Sequence, residues 1–475
     1  MDTFYGRNEE LTLLKEQLAQ KRPSLITIQG RRRVGKSTLI KYFASQNQIT
    51  LFEFQGLPPR PKLSNNDQLK HFASTLSQYL NVKKIEFHDW SEAFAQLGKL
   101  SSNKKQIIFL DEISWMGGKD PDFAGKLKVE WDRELSQKSG LMLVLCGSVS
   151  SWIQKNILQN TGFVGRVSLE IYLKELSLKE SYQLLTQYSK KLSTLEFAQI
   201  VAITGGVPRY LEAFDIRKSS ESNIKKLCFS REGLLFSEFE KIFAEIFGKR
   251  NTFYSNILKS AIEKRLSPSE LAKTIDHPLN GDFTEMLSDL ELGGFITRDY
   301  TWDLSGKSSK ISRVRISDNY SRFYLKYILP KQSLILKKSL QTTDELAINW
   351  PTIFGYQFEN LVLQNASKLF EIIGIPYSEI EQFGSFFQTA TKARKGVQID
   401  FLIQARKGLL HLCEIKSGSR ISTEVIEEVK EKTFRLKLPK KFSVRHYLIY
   451  LGELSDALVS ANYFDKFIPF ESLYS

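Results

Sequence analysis

Three features of the 475-residue sequence predict an α/β fold. A glycine-containing stretch, Gly30 to Ser37, lies between an apolar run and a helical pattern. Further apolar runs at 106–110 and 141–146 alternate with helical stretches at 65–80 and 121–138. A second pair of apolar strands within 397–418 carries acidic residues. Strands that alternate with helices build a parallel sheet covered by helices on both faces. A chain of this length exceeds what one core organises. Four segments are expected: the sheet in 1–215, a helical lid or linker in 216–250, three short helices with a hairpin and connector in 251–330, and a smaller α/β unit in 331–475.

Composition narrows the function classes. Hydrophobic residues make up 42%, normal for a chain that folds in water. The start, MDTFYGRNEELTLL, lacks the basic and apolar regions of a signal peptide, and no window approaches the ~18 apolar residues of a membrane span. The expected compartment is the cytoplasm, with no membrane partner. Cys146, Cys228 and Cys413 are far apart and odd in number, and the five histidines are scattered. These patterns exclude a disulfide framework and a CxxC zinc site. The net charge is +14. It is spread as +7 over residues 1–215, +5 over 216–350 and +2 over 351–475, which permits a nucleic-acid partner without pointing to one.

The residues Gly30, Arg31, Arg32, Arg33, Val34, Gly35, Lys36 and Ser37 follow the apolar run Leu25-Ile26-Thr27-Ile28 and open the helical pattern that begins at Thr38. This is the GxxxxGK[ST] spacing in the strand–loop–helix context that a phosphate-binding loop requires. Backbone N–H groups and the positive end of the helix cradle phosphates, and glycine lets the backbone come close. Lys36 is expected to reach the β- and γ-phosphates and Ser37 to place its hydroxyl on Mg²⁺. The ligand class is a nucleoside triphosphate.

A second strand, Gln106 to Leu110, ends in Asp111-Glu112. Asp111 is the candidate for holding Mg²⁺ through water, and Glu112 for polarising the attacking water. A third strand, Leu141 to Cys146, ends at Gly147-Ser148. Gly165-Arg166 precedes the strand-like 167–171, and GGVPRYL occupies 205–211. Arg166 and Arg209 are alternative sources of a cation for transition-state charge, a surface arginine being the plain reading of each. Lys36, Asp111 and Ser148 all fall at carboxyl ends of strands, where ligands of such sheets bind.

In order, FYGRNEEL, GRRRVGKS, FLDEISW, the strand leading to CGS, the Gly-Arg pair and GGVPRYL resemble the archaeal-type ATPase family within the STAND branch of AAA+ proteins. The resemblance covers roughly residues 3 to 250. It implies ATP as the nucleotide, an ATP-driven switch, and a place for Arg7 and Pro208 in the nucleotide environment. It also implies a polar sensor of the γ-phosphate at Ser148, with Ser150 and Ser151 as near alternatives. A homo-oligomer is required if Arg166 acts across subunits.

Residues 252–320 read as three short helices and a β-hairpin, a winged-helix pattern. Ser267-Pro268-Ser269-Glu270 has capping-box spacing with proline at the first helical position. The hairpin is expected around Gly306-Lys307. The last helix is acidic, with Asp282, Glu285, Asp289 and Glu291 and no Lys or Arg from 282 to 293. Such a helix is a poor reader of phosphates or guanine edges, so a structural lever is favoured over a DNA reader. The wing residues Lys307, Lys310, Arg313 and Arg315 keep backbone contact open. Residues 317–329 resemble the segment that joins the ATPase to its C-terminal domain in the same family.

The second chemical signal is VQIDFLIQARKGLLHLCEIKSG, 397–418. Two apolar strands flank Arg406-Lys407-Gly408, so the segment reads as a hairpin. A turn centred on Lys407 sets Asp400 opposite Glu414, with Cβ atoms about 5 Å apart. Glu414 and Lys416 share a face while Ile415 points into a core. Acids that share a cation, with a lysine beside them, suit Mg²⁺-assisted phosphodiester hydrolysis. The segment 355–370 reads as one amphipathic helix with Glu359 near its start, a possible third acid. His411 faces away from Glu414 and is expected to be packed or solvated.

The order Glu359, Asp400, Glu414-Ile415-Lys416 resembles the PD-(D/E)XK nuclease pattern of restriction-endonuclease-like domains, which the same ATPase family often carries at its C-terminus. The combined expectation is an ATP-hydrolysing switch with a winged-helix connector and a Mg²⁺-dependent nuclease-like domain acting on DNA or RNA. The rival is a signalling or scaffold ATPase whose C-terminal domain binds a protein partner and cuts nothing. A winged-helix DNA-binding regulator is the third reading, weakened by the acidic helix.

Overall fold

The computed structural model describes residues 4–83, 85–102, 104–148, 151–187, 192–304, 307–337, 349–390, 395–436 and 438–475. Its contacts form two units. One comprises Met1–Glu175, Lys241–Asn251 and Ser288–Gly294, and the other comprises Leu176–Glu240, Thr252–Leu287 and Phe295–Ser475.

The first unit is built on five parallel strands: β1 (Ser24–Gly30), β2 (Thr50–Gln55), β3 (Gln106–Asp111), β4 (Leu141–Ser148) and β5 (Val167–Tyr172). Their order in the sheet is β2-β3-β4-β1-β5. Strands β1, β3 and β4 are buried along their whole length, the reason their sequences are nearly continuous apolar runs. Alternate residues go to opposite faces. Leu143 and Leu145 join a core with Trp90, Phe94, Phe123 and Leu127, whereas Val144 and Cys146 join one with Leu39, Ile40 and Phe43. A five-stranded parallel sheet with helices on both faces is the α/β architecture that the alternating strands and helices predict.

Helix Lys36–Gln46 follows the loop after β1. Helix Asn65–Leu80 begins with a capping box in which Ser64 and Asp67 bond reciprocally, which satisfies two of the free N–H groups at its start.

The second unit contains helix Pro268–Thr274, opened by the Ser267–Glu270 capping box with Pro268 in the first turn. Helices Asn251–Ser260 and Gly281–Leu292 flank it in sequence. The hairpin is strand β6 (Ile296–Trp302) paired antiparallel with β7 (Ser308–Ile316). Of its expected turn, Gly306 lies outside the described residues.

A five-stranded mixed sheet forms the C-terminal part of this unit: β8 (Ile380–Gln388), β9 (Val397–Ala405), β10 (Leu409–Ile421), β11 (Ser443–Leu454) and β12 (Lys466–Pro469), in the order β12-β11-β10-β9-β8. The strands β8, β9 and β10 are antiparallel, while β10, β11 and β12 are parallel. Helix Glu424–Leu436 crosses between β10 and β11. It places Val425, Ile426 and Val429 on a core with Ile399, Leu402, Leu410, Leu412 and Leu448.

One expectation is corrected. The segment 355–370 is not one helix but the parts Trp350–Gln364 and Ala366–Ile373, separated at Asn365. Asn365 leaves the helical conformation at φ −109° and ψ 30°. Its side-chain amide donates to the Leu361 carbonyl at 2.8 Å, and its oxygen accepts from the Leu178 amide at 3.1 Å. A polar side chain that bonds the backbone in place of the helical ladder is what interrupts it. Glu359 therefore sits in the interior of a helix that starts earlier than expected.

Cys146, Cys228 and Cys413 are free and buried, and burial pushes all three thiols up. Among the described residues, no helix is long and apolar enough to cross a membrane.

Candidate functional site

The loop from Gly30 to Ser37 is shaped by a few backbone conformations. A Cβ on Gly30 would stand 2.3 Å from the Leu173 carbonyl oxygen, so this position needs glycine for close approach. Arg33 and Gly35 take positive φ, 71° and 92°, which curls the chain into the first turn of helix Lys36–Gln46. Lys36 turns back into that curl and donates to the carbonyls of Gly30 at 2.9 Å and Arg31 at 3.1 Å. Arg7 ties the loop from outside by donating to the Val34 carbonyl at 3.0 Å and the Lys174 carbonyl at 2.6 Å. Arg31 pairs with Glu175 at 3.2 Å. Val34 is buried and Thr38 lies exposed in the first helical turn.

The parallel register of β1 with β4 sets Gly30 beside Ser148. Ser37 donates to Asp111 at 2.6 Å, which brings together the two residues expected to serve Mg²⁺. Burial raises the Asp111 carboxyl against the opposing Ser37 hydrogen bond, and the neighbouring Glu112 charge adds to the rise.

Glu112 adopts a left-handed backbone, φ 50° and ψ 49°, a conformation that costs a non-glycine residue roughly 1 kcal/mol or more. The Ser148 hydroxyl donates to Glu112 at 3.1 Å and the Ser148 amide at 3.3 Å. Arg32 lies 3.7 Å from the same carboxylate, forms an ion pair with Glu245, and stacks 4.9 Å over the Trp115 ring.

Arg166 makes a bidentate contact to Asp132 at 2.6 and 2.9 Å, which pulls the Asp132 carboxyl down to about 2. Pro208 opens the short helix Pro208–Leu211 of the second unit. Arg209 there is 3.9 Å from Glu212 and largely exposed. Ser150 and the side chain of Ser151 lie outside the described residues.

The C-terminal hairpin keeps a constant register from Leu409 opposite Ala405 to Cys413 opposite Phe401. Glu414 and Asp400 are the residues just beyond the last pair, and the turn carries positive φ at both Lys407 (62°) and Gly408 (74°). The Ile415 amide donates to Asp400 at 3.1 Å. Glu414 is fully buried. Lys416 approaches it at 3.3 Å and contacts Glu428 at 2.5 Å. Lys432 donates to both Glu414 oxygens, at 2.7 and 2.6 Å, and lies 3.8 Å from Asp400.

Burial, reinforced by the Asp400 charge and opposed by Lys432, pushes Glu414 up to about 6. Glu359 pairs with Arg265, which also reaches Ser385. Burial raises the Glu359 carboxyl, Arg265 opposes this, and Asp400 adds to it, so the three acids sense one another. His411 is packed on Tyr447 at 3.1 Å, away from these acids. Beside Lys432 opens a cleft of about 580 Å³ lined by Gln388, Gln398, Glu428, Arg435 and Arg313.

Among the described residues, no group of three or more His, Cys, Asp or Glu side chains is arranged to hold a metal ion. Asp400 and Glu414 have the oxygen chemistry that Mg²⁺ takes, but the cation bonded to them is the Lys432 ammonium. Lys432, Arg265 and Glu245 escaped sequence reading. Only Lys432 had a local signal, its spacing of four residues from Glu428 on a helix.

Comparison with known proteins bears on the first of these sites. A protein of Methanocaldococcus jannaschii described as uncharacterized is 25% identical over 406 residues, which covers 84% of each chain. Among solved structures, the Walker-type ATPase of Pyrococcus abyssi is 16% identical, covers 68% of this chain and 96% of its own, and superposes with a TM-score of 0.49. The ORC2 protein of Aeropyrum pernix, solved as ADPNP–ADP complexes, is 14% identical, covers 72% and 96%, and has a TM-score of 0.43. Residues 4–214 match the family described as an ATPase domain predominantly from Archaea, and this part of the chain is an ATP-binding and ATP-hydrolysing domain of the P-loop type.

Proposed function

We propose that the chain is an ATP-driven switch whose C-terminal domain is a Mg²⁺-dependent, PD-(D/E)XK-like phosphodiesterase acting on nucleic acid. The observation that supports this reading is the convergence of Asp400 and Glu414 on the Lys432 ammonium, with Lys416 3.3 Å from Glu414. In the ATPase domain Lys36 binds the β- and γ-phosphates once it leaves the Gly30 and Arg31 carbonyls. Glu112, held in place by Ser148, orients the attacking water once Arg32 releases it. Ser37 and Asp111 would hold Mg²⁺ with ATP, and Asp400 and Glu414 would hold it in the C-terminal domain. In both places the ion supplies Lewis-acid stabilisation of charge on phosphate oxygens. Lys416 orients water beside the scissile phosphate, and Arg313 and Arg435 offer charge to a nucleic-acid backbone in the adjoining cleft.

The rival reading, a signalling or scaffold ATPase that cuts nothing, is favoured by one observation: each side chain of the nuclease pattern is already matched with an opposite charge. Lys432 faces Asp400 and Glu414, Glu428 faces Lys416, and Arg265 faces Glu359. Cleavage of linear, circular and single-stranded DNA and of RNA, with Mg²⁺ or Mn²⁺ and with or without ATP, separates the two readings. Cleavage lost in Asp400→Ala supports the nuclease, and its loss in Lys36→Ala shows gating by ATP. ATP hydrolysis without any cleavage moves the scaffold reading to first place.

A further inference from the structure

The charges around Asp400 and Glu414 are organised by one helix, Glu424–Leu436. Its residues 428 and 432 are one turn apart and on one face. Glu428 engages Lys416 at 2.5 Å, and Lys432 engages both oxygens of Glu414 while standing 3.8 Å from Asp400. The helix thus presents an acid to the site's lysine and a lysine to the site's acids. Glu414 has no exposed surface, so its charge depends on a cation within the protein. An isolated buried carboxylate costs several kcal/mol. Lys432 also lines the cleft of about 580 Å³, which has room for its flexible chain to swing away from the acids.

We infer that Lys432 is the resident cation of the Asp400–Glu414 pair, and that a divalent metal enters this site only by displacing the Lys432 ammonium into the cleft. Metal and lysine then compete for the same carboxylate oxygens. Lys432 brings one positive charge to the two carboxylates and a divalent metal brings two, so Glu414 keeps a cation beside it in both end states. The site rests in a metal-excluding form, and movement of one side chain converts it. Glu428 and Lys416 form the companion contact. When Lys432 leaves, it enters a cleft that Glu428 and Glu431 line, and a pull on Glu428 loosens Lys416 at the same time. This inference rests on the reading of Asp400 and Glu414 as a cation site, and it is independent of whether nucleic acid is cut.

The test uses the full chain without nucleotide or nucleic acid, with Mn²⁺ as the probe. Binding at this site is defined as the part of the Mn²⁺ isotherm, read by electron paramagnetic resonance of the free ion, that Asp400→Asn removes. Lys432→Met is expected to tighten that component about tenfold or more, and Lys432→Arg to leave it weak. In EDTA, Lys432→Met melts at a lower temperature than the wild type, and Mn²⁺ restores its Tm. Should Lys432→Met fail to fold, amine labelling of the wild type followed by peptide mass spectrometry reads the same exchange. Lys432 is expected to react slowly in EDTA and severalfold faster with Mn²⁺, while Lys407 on the hairpin turn does not change.

Equal Mn²⁺ affinity in wild type and Lys432→Met overturns the inference. So does a Lys432 labelling rate indifferent to bound Mn²⁺. Absence of any cleavage alongside metal-for-lysine exchange would sink the nuclease reading and leave this inference standing. Cleavage without exchange would do the reverse.

Discussion

Ser148 donates its hydroxyl to Glu112 at 3.1 Å and its backbone amide to the same carboxylate at 3.3 Å. The end of β4 thereby fixes the acid at the end of β3. The neighbouring strand β1 leads into the Gly30–Ser37 loop, with Gly30 beside Ser148, so Glu112 and that loop lie together at the carboxyl ends of the two strands that flank β4. Of the loop residues, Arg32 stands 3.7 Å from the same carboxylate.

Glu112→Gln is expected to lower steady-state ATP hydrolysis by about 10²- to 10⁴-fold, the range for loss of a positioned base, while binding of a fluorescent ATP analogue persists. Ser148→Ala keeps the carboxylate but loses its positioning bond. A decrease of about tenfold in kcat, the order of one hydrogen bond, is expected there. Phosphate release and nucleotide titration on the same preparations check both, and unaltered turnover in Glu112→Gln would remove the residue from the mechanism.

Arg32 stands between Glu112 and Glu245. Burial raises the Glu245 carboxyl while Arg32 pulls it down, so removal of the guanidinium leaves two acids facing one another. Arg32→Ala should lose about 2 kcal/mol of stability, the value for a buried pair discounted for partial exposure. Glu245→Gln in the same chain should recover most of it. Urea unfolding of the two single variants and the double variant gives the coupling directly.

Arg265 and Glu359 pair with only 11% of each side chain exposed. Arg265→Met is expected to cost about 3 kcal/mol, because it strands a buried carboxylate. The double change Arg265→Met/Glu359→Gln should be close to wild type. If the double variant is as unstable as the single, packing rather than charge holds that contact.

Glu414 supplies a pH signature. Burial raises its folded-state value to about 6 from 4.5. The folded chain then holds a proton that the unfolded chain has lost between those values. The resulting stability is complete below about pH 4.5 and is lost as pH rises through 6, about 2 kcal/mol in all. His411 acts in the opposite sense. Burial first, and then Arg445, depress its value to about 4, so its contribution is present above pH 6.5 and is lost as pH falls towards 4. Subtracting the stability profile of Glu414→Gln from that of the wild type isolates the acid. A flat difference curve between pH 4.5 and 6.5 would refute the assignment.

The legible parts of the molecule were those written in local pattern. The apolar runs of β1, β3 and β4 announce a buried parallel sheet. The 267–270 box starts its helix as spaced, and the hairpin turns at Lys407 with Cys413 opposite Phe401. The helix break at Asn365 was not legible, because the Leu178 amide that stabilises it comes from 187 residues away. Arg265 and Glu245 were hidden for the same reason: a charge partner distant in sequence leaves no periodicity. Lys432 carries little signal of its own, since EVIEEVKEKTFRL mixes signs as a solvated helix face does.

The three buried thiols have a practical consequence. Cys146 adjoins Asp111 and Cys413 adjoins Glu414, yet burial keeps both protonated and out of reach, and a protonated thiol is a poor nucleophile. Alkylating dyes should therefore leave the native chain unmarked. A cysteine introduced at an open position such as Val164, 67% exposed, would take the label alone. Fluorescent reporters can then be attached without first removing the native cysteines, two of which sit beside Asp111 and Glu414.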